Sequence, residues 1–335
     1  MIKKLVLTLL IFSLIQSFQF LEQLETQNKK PVIGVYTQPA HFDPYWNDEY
    51  QYILQDNVQF IENAGGQVVA IPYNGTDDQL IELFNGINGL FFTGGGMDLD
   101  INTPVQNTTQ EYNVFLRNAA FLIELAKEAN NKGDFFPVWG TCQGFEIMNI
   151  VQADNEHSVL KPIEDDENVP RAGVFNSQSR LFEDMSADLL NYAMTNNILF
   201  YYHEWAVFPY EYVKFDQLSE FYDIIGYSTN GKTVFNGIPY VAAIEGKNYP
   251  FYAVQFHPEI TLYDNNKNTN TTPESLEFAA HFGLFFIKQA KKNTHKYDLH
   301  KPLLYAATTV NFKLVEFPED FFQYIYFIKN SVFDV

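Results

Sequence analysis

Cys142 is the only cysteine in the chain of 335 residues, and it lies between two glycines, Gly140 and Gly144. Apolar residues before it predict the end of a buried strand, and the apolar spacing after it predicts a helix. A residue on the tight turn between such elements adopts strained backbone angles and needs neighbours without bulk. The turn also puts the sulfur at a helix N-terminus, where the dipole favours the thiolate. The stretch therefore predicts a nucleophile elbow, although a lone cysteine is more often an inert buried residue.

A histidine that could serve as the base follows a later apolar strand. His257 is followed by Pro258, which has no N–H and so ends the strand pairing, and then by Glu259. The carboxylate can turn back toward the imidazole, fix its tautomer and stabilise its charged form. Alone, the triplet would be interpreted as structural. Together with a cysteine elbow upstream, it predicts a Cys-His-Glu triad whose base and orienting carboxylate come from a late strand.

Three consecutive glycines, residues 94–96, follow a strand predicted at residues 89–92. Glycine allows the backbone N–H groups to turn toward whatever lies above the end of the strand. An anion-binding or oxyanion-binding loop and a plain flexible turn are equally compatible with this run. A nucleotide-binding P-loop is excluded because the Lys-Ser/Thr pair that completes such a loop is missing.

The elements that must position these residues alternate between strand and helix. Strands are predicted at residues 31–36, 68–71, 89–92 and just before Cys142, and helices at residues 49–64, 77–84 and 111–130. This alternation favours a parallel sheet with crossover helices. Because parallel strands end at one edge of a sheet, the glycine run and the elbow are expected at the edge where such sheets bind ligands.

In the second half of the chain the predicted segments are shorter. Hairpin-like strands are predicted at residues 222–228 and 240–244, and helices at residues 186–194 and 272–292. The latter begins with Thr272 as a cap and a proline at its first position. Beyond residue 293 the chain is rich in aromatic residues, and its pattern assigns no packing to them.

The composition excludes some classes of partner. The chain has 41 acidic and 21 basic residues, a net charge of −20 at pH 7. Like charges repel, so neither nucleic acid nor an anionic membrane is an expected partner. An acidic balance usually just indicates a soluble surface, but it also suits a compartment of low pH. With 46% hydrophobic residues, the chain can bury a large core.

Residues 1–20 are predicted to be a signal peptide, since a Lys-Lys start precedes a short apolar run and Ser17 offers a cleavage site. The run is too short to span a bilayer comfortably, so a signal anchor is the less favoured alternative and no membrane attachment is expected after cleavage. The mature chain would be secreted or delivered to a lysosome or vacuole. N-glycosylation triplets, which give weak support, begin at Asn74, Asn107 and Asn270.

Several motifs together resemble one known superfamily, the class I glutamine amidotransferase-like proteins. They are residues 92–96 (Phe-Thr-Gly-Gly-Gly), 139–146 (Trp-Gly-Thr-Cys-Gln-Gly-Phe-Glu) and 254–259 (Val-Gln-Phe-His-Pro-Glu). Residues 31–35, 135–142, 179–182 and 203–205 are more closely similar to the gamma-glutamyl hydrolase family. The resemblance implies a three-layer α/β sandwich with a mostly parallel central sheet. It implies one domain over residues 31–293, followed by an extension over residues 294–335.

The resemblance implies a cysteine hydrolase that cleaves γ-glutamyl amide bonds of folylpoly-γ-glutamates, or related conjugates, through a thioester and without a metal or cofactor. Carried over by motif, Cys142 is the nucleophile, His257 the general base and then acid, and Glu259 the orienting carboxylate. The oxyanion hole would consist of the backbone N–H groups of Gly95 and Gln143. A small-molecule poly-γ-glutamyl substrate is the expected partner, and a homodimer is an assembly that the sequence leaves open.

Three further residues receive roles from the same resemblance. His203 matches a second histidine of the family's site and would hold substrate near the thiol. Glu146 would either grip a glutamyl amino group or make a structural hydrogen bond, the latter being slightly favoured. Arg180 would meet a substrate carboxylate. Two departures from the pattern, Ile260 after the His-Pro-Glu triplet and Thr93 before the glycines, affect only local contacts and the cleavage position along the glutamate chain.

Two other functions remain open at this point. One is a glutaminase-type amidase or amidotransferase subunit of the same superfamily, against which the signal peptide and the lack of a synthase domain argue. The other is an inactive secreted binding glycoprotein on the same scaffold. The acidic composition also predicts that a polyanionic substrate is cleaved best under acidic conditions.

Overall fold

A computed structural model describes residues 29–40, 49–102, 113–263, 266–298, 301, 310–317 and 321–332. The predicted signal peptide and Asn107 lie outside the described residues. The strands are β1 (Val32–Tyr36), β2 (Gln38–Pro39), β3 (Tyr50–Leu54), β4 (Gln67–Ile71), β5 (Gly89–Phe92), β6 (Val138–Thr141), β7 (Lys161–Pro162), β8 (Val169–Arg171), β9 (Gly173–Phe175), β10 (Leu199–Tyr201), β11 (Trp205–Ala206), β12 (Tyr222–Thr229), β13 (Pro239–Gly246), β14 (Phe251–Val254), β15 (Val310–Phe317) and β16 (Phe321–Lys329). The helices are α1 (Gln55–Asn63), α2 (Asp77–Phe84), α3 (Val114–Asn131), α4 (Gln143–Gln152), α5 (Ala187–Thr195), α6 (Glu211–Lys214), α7 (Asp216–Phe221), α8 (Pro258–Tyr263) and α9 (Pro273–Ala290).

An eight-stranded sheet with the order β4-β1-β5-β6-β14-β13-β12-β9 forms the centre of the protein. The five strands from β4 to β14 pair in parallel, and β13, β12 and β9 continue the sheet antiparallel. The mostly parallel sheet and the hairpin-like strands β12 and β13 confirm the predicted fold class. The carboxyl ends of β5, β6 and β14 therefore meet at one edge.

Helices cover both faces of this sheet and make the three-layer sandwich. Alternate residues of a strand point to opposite faces, and in β6 Val138 packs in one apolar cluster while Trp139 packs in the other. Helices α2, α3 and α4 contribute buried residues to the first cluster, and α1, α5 and α9 to the second. Strands that are buried on both faces appear in the sequence as continuous apolar runs, and for this reason the sequence predicts them.

Local capping explains two helix starts that the sequence predicts. Thr76 caps α2 by accepting from the Gln79 N–H, and the Gln79 side chain accepts in return from the Thr76 N–H. Thr272 caps α9, with Pro273 as its first residue. The observed bounds of these helices lie within two residues of the predicted ones.

The predicted helix over residues 49–64 is wrong in its first half. Residues 50–54 form β3, and only Gln55–Asn63 is helical. Strand β3 pairs antiparallel with β2 on one side and with β16 on the other, so that Tyr52 lies opposite both Gln38 and Phe327. The apolar spacing suits a helix locally, but pairing with a distant segment decides the conformation.

The aromatic C-terminal extension, to which the sequence assigned no packing, forms part of a second sheet. Its strands β15 and β16 make a hairpin that joins β3 and β2 in the order β15-β16-β3-β2. Ile325 and Phe327 are buried against Ala40 and Tyr52. The division of the chain at residue 293 stays a prediction. No helix within the described ranges is long and apolar enough to cross a membrane.

Candidate active site

Cys142 occupies the turn between β6 and α4, as the elbow prediction requires. Its φ of 50° is in the left-handed region that side chains rarely adopt, and it is the N-cap residue of α4. Its N–H donates to the Val254 carbonyl of β14 at 2.9 Å. A Cβ added at Gly140 would lie 2.6 Å from the Gly144 backbone, and one at Gly144 would lie 2.3 Å from the Phe92 carbonyl oxygen. The strained turn therefore needs glycine at both flanking positions.

His257 and Glu259 are brought to Cys142 by the pairing of β14 with β6. Val254 lies opposite Thr141 in parallel register, so the chain leaves both strands at the same edge. The imidazole Nδ1 of His257 and Oε1 of Glu259 are 2.6 Å apart, and both side chains are buried. His257 Nε2 makes no hydrogen bond to a described residue. The Nδ1 contact holds the proton on that nitrogen and leaves Nε2 able to accept one.

Burial and charge act in opposite directions on the Cys142–His257 pair. Burial raises the pKa of the Cys142 thiol, and the nearby His257 charge opposes this effect. Burial by itself would lower the pKa of His257, but the charges of Cys142 and Glu259 together raise it well above its usual value. The site therefore stabilises an imidazolium beside the sulfur, which is what proton transfer from the thiol requires.

The glycine run lies directly against these residues. A Cβ added at Gly94 would be 2.6 Å from Cε1 of His257 and 3.6 Å from Cβ of Cys142. One added at Gly95 would be 2.6 Å from Oε1 of Gln143. The Gly144 N–H donates to the Thr93 carbonyl at 3.1 Å, which ties the start of α4 to this loop. Gly95 and Gln143 thus both line the cavity that contains the sulfur of Cys142.

A cavity of about 470 Å³ opens over this edge of the sheet. It is lined by Cys142, His257, Glu259, Gly95, Gln143, His203 and Glu146, together with aromatic and polar residues of the neighbouring loops and of the second sheet. Four glutamates and two histidines line it, but within the described residues no lysine or arginine does. The cavity is therefore acidic unless its carboxyls are protonated.

His203 forms part of the cavity wall. Its Nδ1 donates to the Trp205 carbonyl at 2.6 Å, while its Nε2 lies 3.8 Å from Oδ2 of the buried Asp166 and makes no hydrogen bond within the described part of the chain. Burial lowers the pKa of His203 to about 4. At neutral pH the ring is therefore uncharged and presents a free acceptor nitrogen.

Glu146 lies one turn into α4 and is buried at the cavity wall. The Gln255 side-chain amide donates to its Oε1 at 3.2 Å and lies 3.9 Å from the Cys142 sulfur. Burial raises the pKa of Glu146 to about 8, partly opposed by the Gln255 hydrogen bond. The structural hydrogen bond that the sequence analysis favoured is present, and the carboxyl is neutral at physiological and acidic pH.

Arg180 is not part of this cavity, and its predicted contact with a substrate carboxylate is not supported. Its guanidinium donates to the carbonyls of Gly246 and Tyr249, lies near Glu245 and covers the Tyr252 ring. These residues lie at the amino-terminal end of β14, whereas the cavity lies at its carboxyl end. The resemblance predicted a substrate-binding role for Arg180, but its guanidinium instead binds the backbone between the end of β13 and the start of β14.

Gln38 and Asn57 are two of the cavity residues that the sequence analysis does not name. Gln38 of β2 is buried beside the glycine run. Asn57 of α1 is 1% exposed, and neither its amide nitrogen nor its amide oxygen has a hydrogen-bond partner among the described residues. Gln38 lies in a segment for which the sequence predicted no element, whereas Asn57 lies in the helical half of the helix predicted over residues 49–64. No motif marks either residue, and Gln38 reaches the cavity through the pairing of β2 with β3.

Two predicted glycosylation positions lie in the described residues. The Asn74 side chain is exposed, whereas Asn270 is half-buried and its amide nitrogen donates to the Asn197 carbonyl at 3.1 Å. Asn74 is therefore the more accessible of the two, and glycosylation itself stays a prediction. Within the described ranges, no group of three or more His, Cys, Asp and Glu side chains could hold a metal ion.

The mostly parallel sheet, the strained cysteine elbow and the adjacent His–Glu pair are the features of an α/β cysteine peptidase. Residues 31–259 match the family model described as Peptidase C26. The chain belongs to the peptidase C26 family.

Curated relatives agree with this assignment. The chain is 31% identical to gamma-glutamyl hydrolase of Rattus norvegicus over 82% of each chain, and 28% identical to that of Homo sapiens over 83% of this chain and 84% of the human one. It is 26% identical to gamma-glutamyl hydrolase B of Dictyostelium discoideum, over 93% of this chain and 86% of the other. A solved structure of a putative GMP synthase component from Thermoplasma acidophilum is 14% identical with a TM-score of 0.47, covering 78% of this chain and 95% of that one. A score at this level adds nothing to the strand pairings given above.

Proposed function

We propose that this chain is a cysteine-type γ-glutamyl hydrolase whose substrates are folylpoly-γ-glutamates or related γ-glutamyl conjugates. One observation carries the proposal: a cysteine held at φ 50° shares a cavity with a His–Glu pair joined at 2.6 Å. Its membership of the peptidase C26 family and its similarity to gamma-glutamyl hydrolases support the same chemistry. The cleaved group is an amide whose carbonyl belongs to a glutamate side chain.

In the first half of the reaction, the Cys142 sulfur attacks the γ-carbonyl carbon and its proton passes to Nε2 of His257. The Glu259 carboxylate stabilises the resulting imidazolium through Nδ1. The carbonyl oxygen becomes an oxyanion, and the N–H groups of Gly95 and Gln143 are the donors that border it. His257 then gives its proton to the departing amine as the C–N bond breaks. The product of this half is a thioester on Cys142.

In the second half, water replaces the departed amine. His257 takes a proton from the water as its oxygen attacks the thioester carbon, and the same two N–H groups stabilise the second oxyanion. The C–S bond then breaks, the sulfur leaves as a thiolate and recovers its proton from His257. The γ-carboxylic acid that is released loses its remaining proton to the solvent, and the enzyme returns to its starting state without any metal or cofactor in the sequence of steps.

No lysine or arginine is among the described residues that line the cavity, so a polyanionic substrate needs other partners there. Neutral donors can take that part: the Asn57 amide, which has no hydrogen-bond partner among the described residues, and, below a pH of about 8, the protonated Glu146 carboxyl. Protonation of the substrate carboxylates at low pH reduces repulsion further. These features support activity that favours acidic conditions. An acidic lysosome or vacuole, reached through the predicted signal peptide, would suit such an enzyme.

Product analysis by mass spectrometry tests the function. The full chain is incubated with a folylpenta-γ-glutamate, with an α-linked oligoglutamate and with free glutamine. Shorter folyl-γ-glutamates should appear from the first substrate only. Cys142→Ala should reduce cleavage at least ~10⁴-fold, as removing a catalytic nucleophile does, while thermal unfolding shows that the variant is folded. Undiminished turnover in the variant, or ammonia release from glutamine without cleavage of the γ-linked chain, would contradict the proposal.

A further inference from the structure

Gln38 connects the second sheet to the space beside Cys142. It is the first residue of β2, only 3% exposed, and part of the cavity wall. Its side-chain nitrogen donates to the Gly94 carbonyl at 3.3 Å and to Oε1 of Gln143 at 3.2 Å, with Oγ1 of Thr93 at 3.4 Å. Because the Gly94 carbonyl can only accept, the orientation of the Gln38 amide follows from its surroundings.

The contact with Gly94 helps to fix the direction of a neighbouring N–H group, together with the Thr93 hydroxyl, which donates to the same carbonyl at 2.9 Å. The carbonyl of Gly94 and the N–H of Gly95 belong to one planar trans peptide and point in opposite directions. Three consecutive glycines allow this peptide to rotate more freely than any other part of the loop. A hydrogen bond that holds the Gly94 carbonyl toward Gln38 therefore holds the Gly95 N–H pointing away from Gln38.

The contact with Gln143 acts on the second candidate oxyanion donor. Oε1 of Gln143 accepts from Gln38, and Nε2 of Gln143 donates to the Met97 carbonyl at 2.8 Å. The side chain is thus held at both ends between β2 and the loop after the glycines. Since Gln143 is the first residue of α4, this restrains the backbone that carries its N–H.

We propose that Gln38 is a positioning residue that aligns both oxyanion donors, Gly95 and Gln143, through one side-chain amide. This inference rests on the proposed hydrolase function, because it assigns a role in stabilising the oxyanion of that reaction. It also gives the C-terminal strands a function. Strand β2 is held by β3, and β3 by β16, so the end of the chain supports the residue that aligns the oxyanion hole.

The test compares Gln38→Met with Gln152→Met in the full chain. Both glutamines donate to a backbone carbonyl and keep a buried amide oxygen without a partner among the described residues, but Gln152 lies at the far end of α4. Q38M keeps the volume and removes the donor. It should lower kcat roughly 10- to 100-fold with KM changed less than about twofold, because the oxyanion forms only in the transition state. Q152M should retain the wild-type kcat.

Two further measurements distinguish positioning from a general structural role. A γ-glutamyl aldehyde, whose oxygen enters the oxyanion hole when the thiol adds to it, should inhibit Q38M more weakly by the same factor as kcat falls, while inhibition by a γ-glutamate product is unchanged. Q38E, which has the same shape, should lose activity at pH 7 and recover part of it at pH 4.5, where the introduced carboxyl can donate.

Three outcomes would overturn the inference: a Q38M kcat equal to the wild-type value, equal weakening of aldehyde and product inhibition, or a Q38E rate that does not recover in acid relative to the wild type. Wild-type turnover of the γ-linked substrate is measured in the same assay. Its absence would contradict the proposed function, whereas a change confined to the variants concerns Gln38 alone.

Discussion

Two sheets meet at the cavity, and they position their residues in different ways. The eight-stranded sheet places Cys142 and His257 at the ends of adjacent parallel strands, each in a short motif of its own. The four-stranded sheet places Gln38 and Tyr52 through pairing with the end of the chain, where Gln51 and Asn330, 279 positions apart, share a hydrogen bond of 2.7 Å. Reactive groups come from the first sheet, and alignment comes from the second.

The residues that react and the residue that aligns them are therefore placed by different parts of the chain. A nucleophile and a base need particular side chains at a strained turn and a strand end, so they leave recognisable local motifs. An aligning residue needs only a hydrogen-bonding group in the correct place, and any segment that reaches the site can supply it. Variants in the two sheets should therefore fail differently.

After the loss of the nucleophile itself, the largest effect is expected on the side of the eight-stranded sheet, from Glu259→Gln in α8, which follows β14. The variant keeps the shape of the side chain but removes the charge that helps raise the pKa of His257, so the imidazolium is less stable. We expect kcat to fall roughly 10²- to 10³-fold. The melting temperature should change little, since Oε2 of Glu259 already lacks a partner among the described residues. Steady-state kinetics and thermal unfolding measure the two quantities.

The exposed helix residue Glu277 provides the matched control for that variant, and Glu277→Gln should retain full activity. A drop in melting temperature large enough to account for the lost activity would indicate that Glu259 stabilises the fold instead. Loss of activity without loss of stability would then no longer distinguish this side of the site from the four-stranded sheet.

The intermediate effect is expected in the four-stranded sheet, from Phe327→Ala. Phe327 is fully buried, and its ring packs 6.5 Å from that of Tyr52. The cavity left behind should cost about 3 kcal/mol of unfolding free energy. With β3 and β2 less firmly held, kcat should fall about 3- to 10-fold, less than for a misaligned donor itself. Chemical denaturation and kinetics below the unfolding transition are the measurements.

Tyr324 on the same strand is 46% exposed, so Tyr324→Ala should cost much less stability than F327A. If F327A instead lost stability with a fully unchanged kcat, the second sheet would not be needed for alignment. The contrast between the sheets would then be one of stability alone.

The smallest effect, and the most specific, concerns pH. Glu146 has a pKa of about 8, so it is neutral below that pH and gains a charge above it, and this charge raises the pKa of the Cys142 thiol. Wild-type kcat/KM should therefore decline as the pH rises through about 8. Glu146→Gln is neutral at every pH and should keep a rate a few fold higher than the wild type above pH 8, with no difference at pH 6.

Folding stability gives a second measurement on the same residue. The pKa of Glu146 is higher in the folded protein than its ordinary 4.5, so the unfolded chain releases this proton first. Wild-type stability should fall relative to E146Q as the pH rises from about 4.5 to about 8. The exposed cavity residue Glu204 is the control, and Glu204→Gln should leave both profiles unchanged. An alkaline limb shared by the wild type and E146Q would contradict this assignment.

The sequence by itself determined the strand and helix pattern of the eight-stranded sheet, the elbow at Cys142 and the His257 triplet. Each of these depends on contacts within a few residues: apolar periodicity, capping by Thr76 or Thr272, and glycines where the backbone approaches closely. Only the tertiary structure decided that residues 50–54 form a strand, that Arg180 lies away from the cavity, and that Gln38 and Asn57 reach it. Those outcomes depend on which distant segments pair, and because pairing energy is shared between segments far apart along the chain, no local pattern records it.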